Sequence, residues 1–186
     1  MPFEPPWFSP RFFIDPEILR VIRAVMDDRV VADLWGCDVP LFGSEYQRAH
    51  VDYARPLFGE APDLVLPPFA LVVSFGLVPI GREEGPIEIA PGTHLWPRSS
   101  AKAATDAGSV RLESVPLAVG DVLIRNPWTL HRGTPNTTCT PRFLVSTRYV
   151  RRWYSDDSRD VRYIPRTLWE SLSAECRQVM RFPVGP

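Results

Sequence analysis

Three histidines occur in the chain, His50, His94 and His131, so any imidazole-based metal site has to draw on them. His50 stands two residues before Asp52. On a strand, positions i and i+2 point to the same face, so this imidazole and this carboxylate can share one ion. The triplet alone is a weak signal, because a His and an Asp on a polar strand face make the same pattern. His131 opens a second stretch, His131-Arg-Gly-Thr-Pro-Asn-Thr-Thr-Cys-Thr-Pro-Arg142, flanked by strand-like runs at 122–128 and 143–149. Gly133, Pro135, Asn136 and Pro141 inside it are turn formers. A strand, a loop and an antiparallel return would set His131 and Arg142 side by side, a metal ligand and a fork-shaped cation from one hairpin.

These parts complement one another chemically. Two imidazoles and one carboxylate on one face of an octahedral Fe(II) leave three positions open, the arrangement used for oxygen activation. 2-Oxoglutarate fills two of them through its 2-oxo and C1 carboxylate groups, and dioxygen takes the third. The far carboxylate then calls for a cation such as Arg142, with which it forms a bidentate, charge-assisted pair. Zinc in a three-ligand hydrolytic site uses the same ligand types, so the metal stays open at this level.

The elements that must position these groups read as follows. Residues 1–14, rich in Pro and aromatics, form an extended arm. Asp15-Pro16-Glu17 is a helix start, with Asp as N-cap and Pro in the first turn. Leu19, Ile22, Val25 and Met26 share a helical face, which predicts a helix to about Trp35, broken near Asp27-Asp28 or ended by Gly36. From residue 37 to 150, short apolar or alternating runs at 46–53, 69–78, 86–90, 110–118, 121–125 and 142–150 are separated by Pro, Gly and Asn. That density of short strands predicts an all-β sandwich or barrel, with a helix or loop excursion at 97–109. Thr167-Leu-Trp-Glu170 has capping-box form, and Leu168, Leu172, Cys176 and Val179 predict one face of a C-terminal helix.

Composition narrows the class. At 186 residues the chain fits one domain, 1–186, with an arm and helix (1–36), a β core (37–150) and a helical C-terminal segment (151–186). A net charge of −1 offers no field to attract nucleic acid. Lys102 is the only lysine, so the positive charge is almost all Arg, most of it ordinary surface. Cys37, Cys139 and Cys176 are odd in number and form no CxxC pair, which argues against a disulfide framework or a zinc cluster. No stretch reaches membrane-span length, and MPFEPPWFSP has neither the basic opening nor the apolar run of a secretory signal. A cytoplasmic protein is the expectation.

Four segments together resemble the phytanoyl-CoA dioxygenase family: HVD at 50–52, EEGPIEIAPGTHLW at 83–96, GDVLIRNPWTLHRGTPN at 120–136, and PR at 141–142. They match in order and approximate spacing. The Pro-Gly-hydroxyl-His stretch at 91–94 and the eleven-residue interval from His131 to Arg142 are the specific features. The resemblance implies a double-stranded β-helix (a cupin-like jelly roll) with flanking N- and C-terminal helices. It implies Fe(II) held by His50, Asp52 and His131, with Arg142 gripping the cosubstrate 2-oxoglutarate. Gln47 falls where relatives line the cosubstrate pocket. His94 carries over as a structural or hydrogen-bonding residue rather than a ligand, with Thr93 holding its turn. The implied activity couples 2-oxoglutarate decarboxylation to oxidation, usually hydroxylation, of a small molecule by dioxygen. An Asp ligand rather than Gly or Ala leaves no place for halide.

Two departures from the family pattern stand out. Relatives often carry Ser two residues after the distal His; here the residue is Gly133, so another donor such as Thr129 or Thr134 must serve, or cosubstrate binding is weaker. Only 49 residues precede His50, which implies reduced walls around the pocket, leaving it open or covered by a second subunit of a homodimer. Tyr53, Arg55, Phe75, Trp128, Arg148 and Trp153 are candidate substrate contacts, with core packing the plainer reading for Phe75 and Trp153. Two rival readings stand beside the oxygenase: a cupin-type isomerase or hydrolase that has no need of Arg142, and an inactive jelly-roll binding module.

Overall fold

The computed structural model describes residues 1–52, 66–155 and 162–185; Tyr53 and Arg55 lie outside them. Two short helices open the chain, α1 (Arg11–Ile14) and α2 (Pro16–Val25). As the sequence predicts, the Asp15 carboxylate caps α2, accepting from the backbone N–H groups of Glu17 and Ile18 at 3.0 and 3.2 Å. The expected continuation to Trp35 does not occur. The helix stops at Val25, and Asp27 Oδ1 accepts the Arg29 N–H at 2.8 Å in a tight turn. The β-branched pair Val30-Val31 then starts a nine-residue strand, β1 (Val30–Asp38).

Among the described residues six further strands follow: β2 (Ala70–Gly76), β3 (Ile87–Ile89), β4 (Glu113–Val115), β5 (Leu123–Arg125), β6 (His131–Arg132) and β7 (Leu144–Arg151). They form a four-stranded sheet of order β1-β7-β2-β5 and a three-stranded sheet of order β4-β3-β6. The pairs β2–β5, β3–β4 and β3–β6 are antiparallel. The excursion after β3 contains a 3-10 turn (Thr93–Leu95) and helix α3 (Arg98–Asp106), whose residues are all at least partly exposed. The single C-terminal helix expected from Thr167 is instead two short ones, α4 (Arg166–Ser171) and α5 (Ala174–Val179). Leu172 is extended between them, and Ser173 Oγ caps Cys176 N–H at 3.1 Å. Cys37, Cys139 and Cys176 are all free thiols. No helix among the described residues is long and apolar enough to cross a membrane.

The chain forms two compact units. One comprises Met1–Gly36, Pro68–Leu71 and Ser146–Pro186; the other comprises Cys37–Pro67 and Val72–Val145. The first unit holds an aromatic cluster in which Phe13 lies 5.2 Å from Trp35 and 5.9 Å from both Phe8 and Phe182, ring centre to ring centre. It also buries Arg148, whose Nε and Nη2 donate to the two oxygens of Asp33, each at 2.8 Å. In the second unit Ile80, Leu117 and Leu144 form an apolar cluster flanked by Val115 and Leu123. This unit contains His50, Asp52, His131 and Arg142.

Candidate metal centre

His50 and His131 are direct partners across an antiparallel bridge. The His50 N–H donates to the His131 carbonyl at 2.9 Å, and the His131 N–H returns the bond at 3.0 Å. On its other side His131 pairs with Ile89 of β3. Residues directly opposite in a ladder present their side chains to the same face, and the two imidazole centroids lie 4.5 Å apart. Asp52, two residues past His50, is anchored by its own N–H to the Pro127 carbonyl at 3.0 Å. One ligand atom from each of His50, Asp52 and His131 lies within 4.8 Å of the others.

The ring nitrogens are sorted for metal binding. His50 Nδ1 is 2.8 Å from the Arg48 carbonyl, and His131 Nδ1 is 2.9 Å from the Thr129 carbonyl. A carbonyl only accepts, so both Nδ1 atoms carry a proton and Nε2 is the atom each ring offers to a metal, at His131 in exchange for the proton it shares with Asp52. His131 Nε2 stands 3.3 Å from Asp52 Oδ1, a gap that a proton or a metal ion bridges. The other carboxylate oxygen, Oδ2, accepts from Arg125 Nη1 at 2.8 Å. Burial acts to raise the Asp52 pKa, but the hydrogen bond with His131 and the Arg125 charge outweigh it and hold the carboxyl well below the usual carboxylate range. Two imidazoles, one carboxylate and a satisfied outer layer make a donor set that fits a divalent iron ion.

The Pro-Gly stretch after β3 secures the strand that carries the distal histidine. Gly92 takes φ +82°, a left-handed conformation that glycine adopts freely. The turn buries Thr93, whose hydroxyl donates to the Ala90 carbonyl at 2.7 Å and accepts the Leu130 N–H at 2.9 Å. Thr93 thus fastens the residue next to His131, in the turn-holding place that the sequence assigns to it. His94 is half-buried and outside the triad.

Arg142 is 4% exposed, and its Nε has no hydrogen-bond partner among the described residues. Its guanidinium makes no ion pair with any described residue. Burial pushes its pKa down, opposed by the Asp38 carboxylate and by Cys37. A single hairpin joining His131 to Arg142 is not what forms: β6 belongs to the three-stranded sheet, whereas Arg142 leads into β7 of the four-stranded one. The loop between them is organised by Asn136, which is fully buried. Its Nδ2 donates to the Pro40 and Thr140 carbonyls at 3.0 and 2.8 Å, and its Oδ1 accepts from Thr138 N–H and Oγ1 at 2.9 Å. The Pro40 carbonyl also takes the Arg142 N–H at 3.3 Å.

The remaining candidates are distributed as follows. The Gln47 N–H donates to the Gly133 carbonyl at 3.0 Å, and its Oε1 accepts the Gly133 N–H at 2.9 Å. A Cβ at position 133 would sit 3.1 Å from Gln47 Cδ, so the Gln47 amide lies against the place where a side chain at 133 would begin. The Thr134 hydroxyl hydrogen is committed to the Pro86 carbonyl at 2.7 Å, which removes it as a free donor. Thr129 is buried and supplies the carbonyl that orients His131. Phe75 and Trp128 are half-buried. Arg148 is 1% exposed and bound to Asp33; Trp153 is 61% exposed, its ring 5.5 Å from that of Phe69. Sequence reasoning missed Arg125. Its signal is a cation ending the apolar run Val122-Leu-Ile, six residues before His131.

The model of the phytanoyl-CoA dioxygenase family, PhyH, matches residues 8–144. The chain belongs to this family. Among solved structures, EvdMO1 is similar with a TM-score of 0.61 and 22% identity, over 75% of this chain and 32% of that one. AviO1 from Streptomyces viridochromogenes Tue57 gives 0.61 and 21%, over 76% and 60%. SnoN from nogalamycin biosynthesis, described as a non-heme alpha ketoglutarate dependent epimerase, gives 0.60 and 23%, over 75% and 55%. The chain spans roughly a third to three fifths of the length of these relatives. What they share with this PhyH-family chain is the mainly β, cupin-like jelly roll with flanking helices.

Proposed function

We propose that this chain is an Fe(II)- and 2-oxoglutarate-dependent oxygenase that hydroxylates a small-molecule substrate, with His50, Asp52 and His131 as iron ligands and Arg142 as the cosubstrate's carboxylate partner. The observation that carries the reading is the pairing of two imidazoles, each with Nδ1 tied to a carbonyl and Nε2 left to ligate, with a carboxylate in one cluster. Membership of the PhyH family and the printed cosubstrate of SnoN support the choice of iron and 2-oxoglutarate over zinc hydrolysis. A metal isomerase or hydrolase has no use for a buried guanidinium with an orphaned Nε.

Iron bound there supplies oxygen activation: 2-oxoglutarate and dioxygen go to succinate and CO2 as one substrate C–H bond becomes C–OH. The chain's own residues do the rest. The Arg48 and Thr129 carbonyls keep both rings in the ligating tautomer and orientation. Asp52, paired through Oδ2 with Arg125, supplies the negative charge. Arg142 gives a dianion its bidentate partner and relieves its own unpaired burial in doing so. Gln47, whose carbonyl oxygen is taken by Gly133, presents its amide N–H2 group in place of the family's serine hydroxyl. The test is oxygen-dependent release of succinate from 2-oxoglutarate by the Fe(II)-loaded protein, with candidate substrates scanned for mass gain of one oxygen. Turnover of a substrate without 2-oxoglutarate consumption would favour the cupin-type alternative.

A further inference from the structure

Arg125 is the one functional-looking group in the metal cluster to which neither the family pattern nor the sequence reading assigns a task. We propose that Arg125 is a positioning residue that keeps Asp52 a one-oxygen ligand, on the reading that the triad holds a metal ion.

A carboxylate has two equivalent oxygens and can chelate through both. With three protein ligands and a two-point cosubstrate, an octahedral ion has one position left for dioxygen, and a second Asp52 oxygen would take it. The geometry prevents this. Arg125 Nη1 holds Oδ2 at 2.8 Å, while Oδ1 lies 3.3 Å from His131 Nε2. The Arg125 side chain is only 10% exposed, so this contact is far less diluted by water than a surface pair. Its backbone is registered against Val72 of β2, and two residues further on the Pro127 carbonyl holds the Asp52 N–H. One segment, 125–127, therefore fixes Asp52 at both backbone and side chain.

The test uses the whole chain in metal-free form, titrated with Co(II) by calorimetry and by its visible d–d absorption. It compares wild type with Arg125→Met, Arg125→Lys and His131→Ala, and includes thermal unfolding of each metal-free protein. Loss of an outer partner of a metal ligand typically weakens metal binding 10- to 100-fold. Arg125→Met is expected to show a loss of about that size, with a d–d band of altered intensity as the coordination number changes. Arg125→Lys, which keeps one charged donor, should recover most of the affinity. If Arg125→Met fails to fold, Arg125→Gln takes its place, with a smaller loss expected in the same direction. Wild-type affinity and spectrum in the Met variant would overturn the proposal, whatever its melting temperature. Tighter Co(II) binding with an unchanged d–d spectrum would also overturn it, because the guanidinium would then act only as a repelling charge. Failure of the wild type to bind Co(II) any better than His131→Ala is a separate result, and it would overturn the metal reading itself.

Discussion

His50 and His131 exchange both backbone hydrogen bonds, at 2.9 and 3.0 Å, and set their tilted rings 4.5 Å apart. The two ligands are 81 residues apart in the chain, yet a single bridge sets their geometry. A slip of one residue would send one ring to the opposite face, so the ladder register itself is part of the metal site. His131→Ala removes a ring but no ladder bond. It should lower the melting temperature of the metal-free protein only by the loss of a buried ring and its Thr129 contact, while weakening Co(II) or Mn(II) binding by about 100-fold or more, beyond what loss of an outer partner costs. Metal titration alongside thermal unfolding checks both halves.

Thr93→Val keeps the shape of a buried side chain and deletes its hydroxyl. The Ala90 carbonyl loses a donor and the Leu130 N–H loses its acceptor. The Leu130 N–H is left unsatisfied, at a cost of about 1–3 kcal/mol, while the Ala90 carbonyl keeps the Thr93 N–H at 3.3 Å and loses one net hydrogen bond, about 0.5–1.5 kcal/mol. A drop in unfolding free energy of about 2–4 kcal/mol is expected on that basis, read by denaturant unfolding. Because Leu130 precedes His131, metal affinity should fall as well. An unchanged midpoint would mean that the turn does not brace the strand.

Arg142→Met removes a buried charge that makes no ion pair among the described residues and whose Nε has no hydrogen-bond partner there. Unpaired burial of charge is unfavourable, so the variant should be at least as stable as the wild type. 2-Oxoglutarate, which should raise the melting temperature of the metal-loaded wild type through binding linkage, should no longer do so. A variant that loses stability yet keeps its response to 2-oxoglutarate would assign Arg142 to the core instead.

Arg148→Met tests a different buried arginine. Arg148 and Asp33 form a two-point pair in which both side chains are nearly inaccessible. Breaking such a pair costs about 3–5 kcal/mol, and the remaining Arg181 contact to Asp33 at 2.9 Å favours the lower end. For a chain of this size about 3 kcal/mol corresponds to a fall of roughly 6–12 °C in melting temperature. Metal affinity of the folded protein should not change. A raised substrate KM without lost stability would instead support the substrate contact expected from sequence.

Local chemistry was legible wherever neighbours in sequence are neighbours in space. The Asp15 cap, the Thr93 turn and the same-face relation of His50 and Asp52 all fall within a few residues of chain. Errors arose where distant partners decide. Residues 30–35 have enough apolar spacing to pass for helix, but the Asp27 turn and a place at the edge of the sheet order β1-β7-β2-β5 make them a strand. Arg125 and Asp52 are 73 residues apart, and Arg148 and Asp33 are 115 apart; no spacing rule connects either pair. The loop from His131 to Arg142 reads as a hairpin because its turn formers are visible. Its passage to another sheet depends on Asn136 finding carbonyls at Pro40 and Thr140, which composition does not reveal.

The most direct measurement is an anaerobic Fe(II) titration of the metal-free chain with and without 2-oxoglutarate, repeated on His131→Ala and Arg142→Met. One equivalent of Fe(II) should bind the wild type, more tightly when 2-oxoglutarate is present. His131→Ala should lose the metal, and Arg142→Met should keep it but lose the 2-oxoglutarate effect. Fe(II) binding that is indifferent to 2-oxoglutarate, or that survives in His131→Ala, would contradict the account.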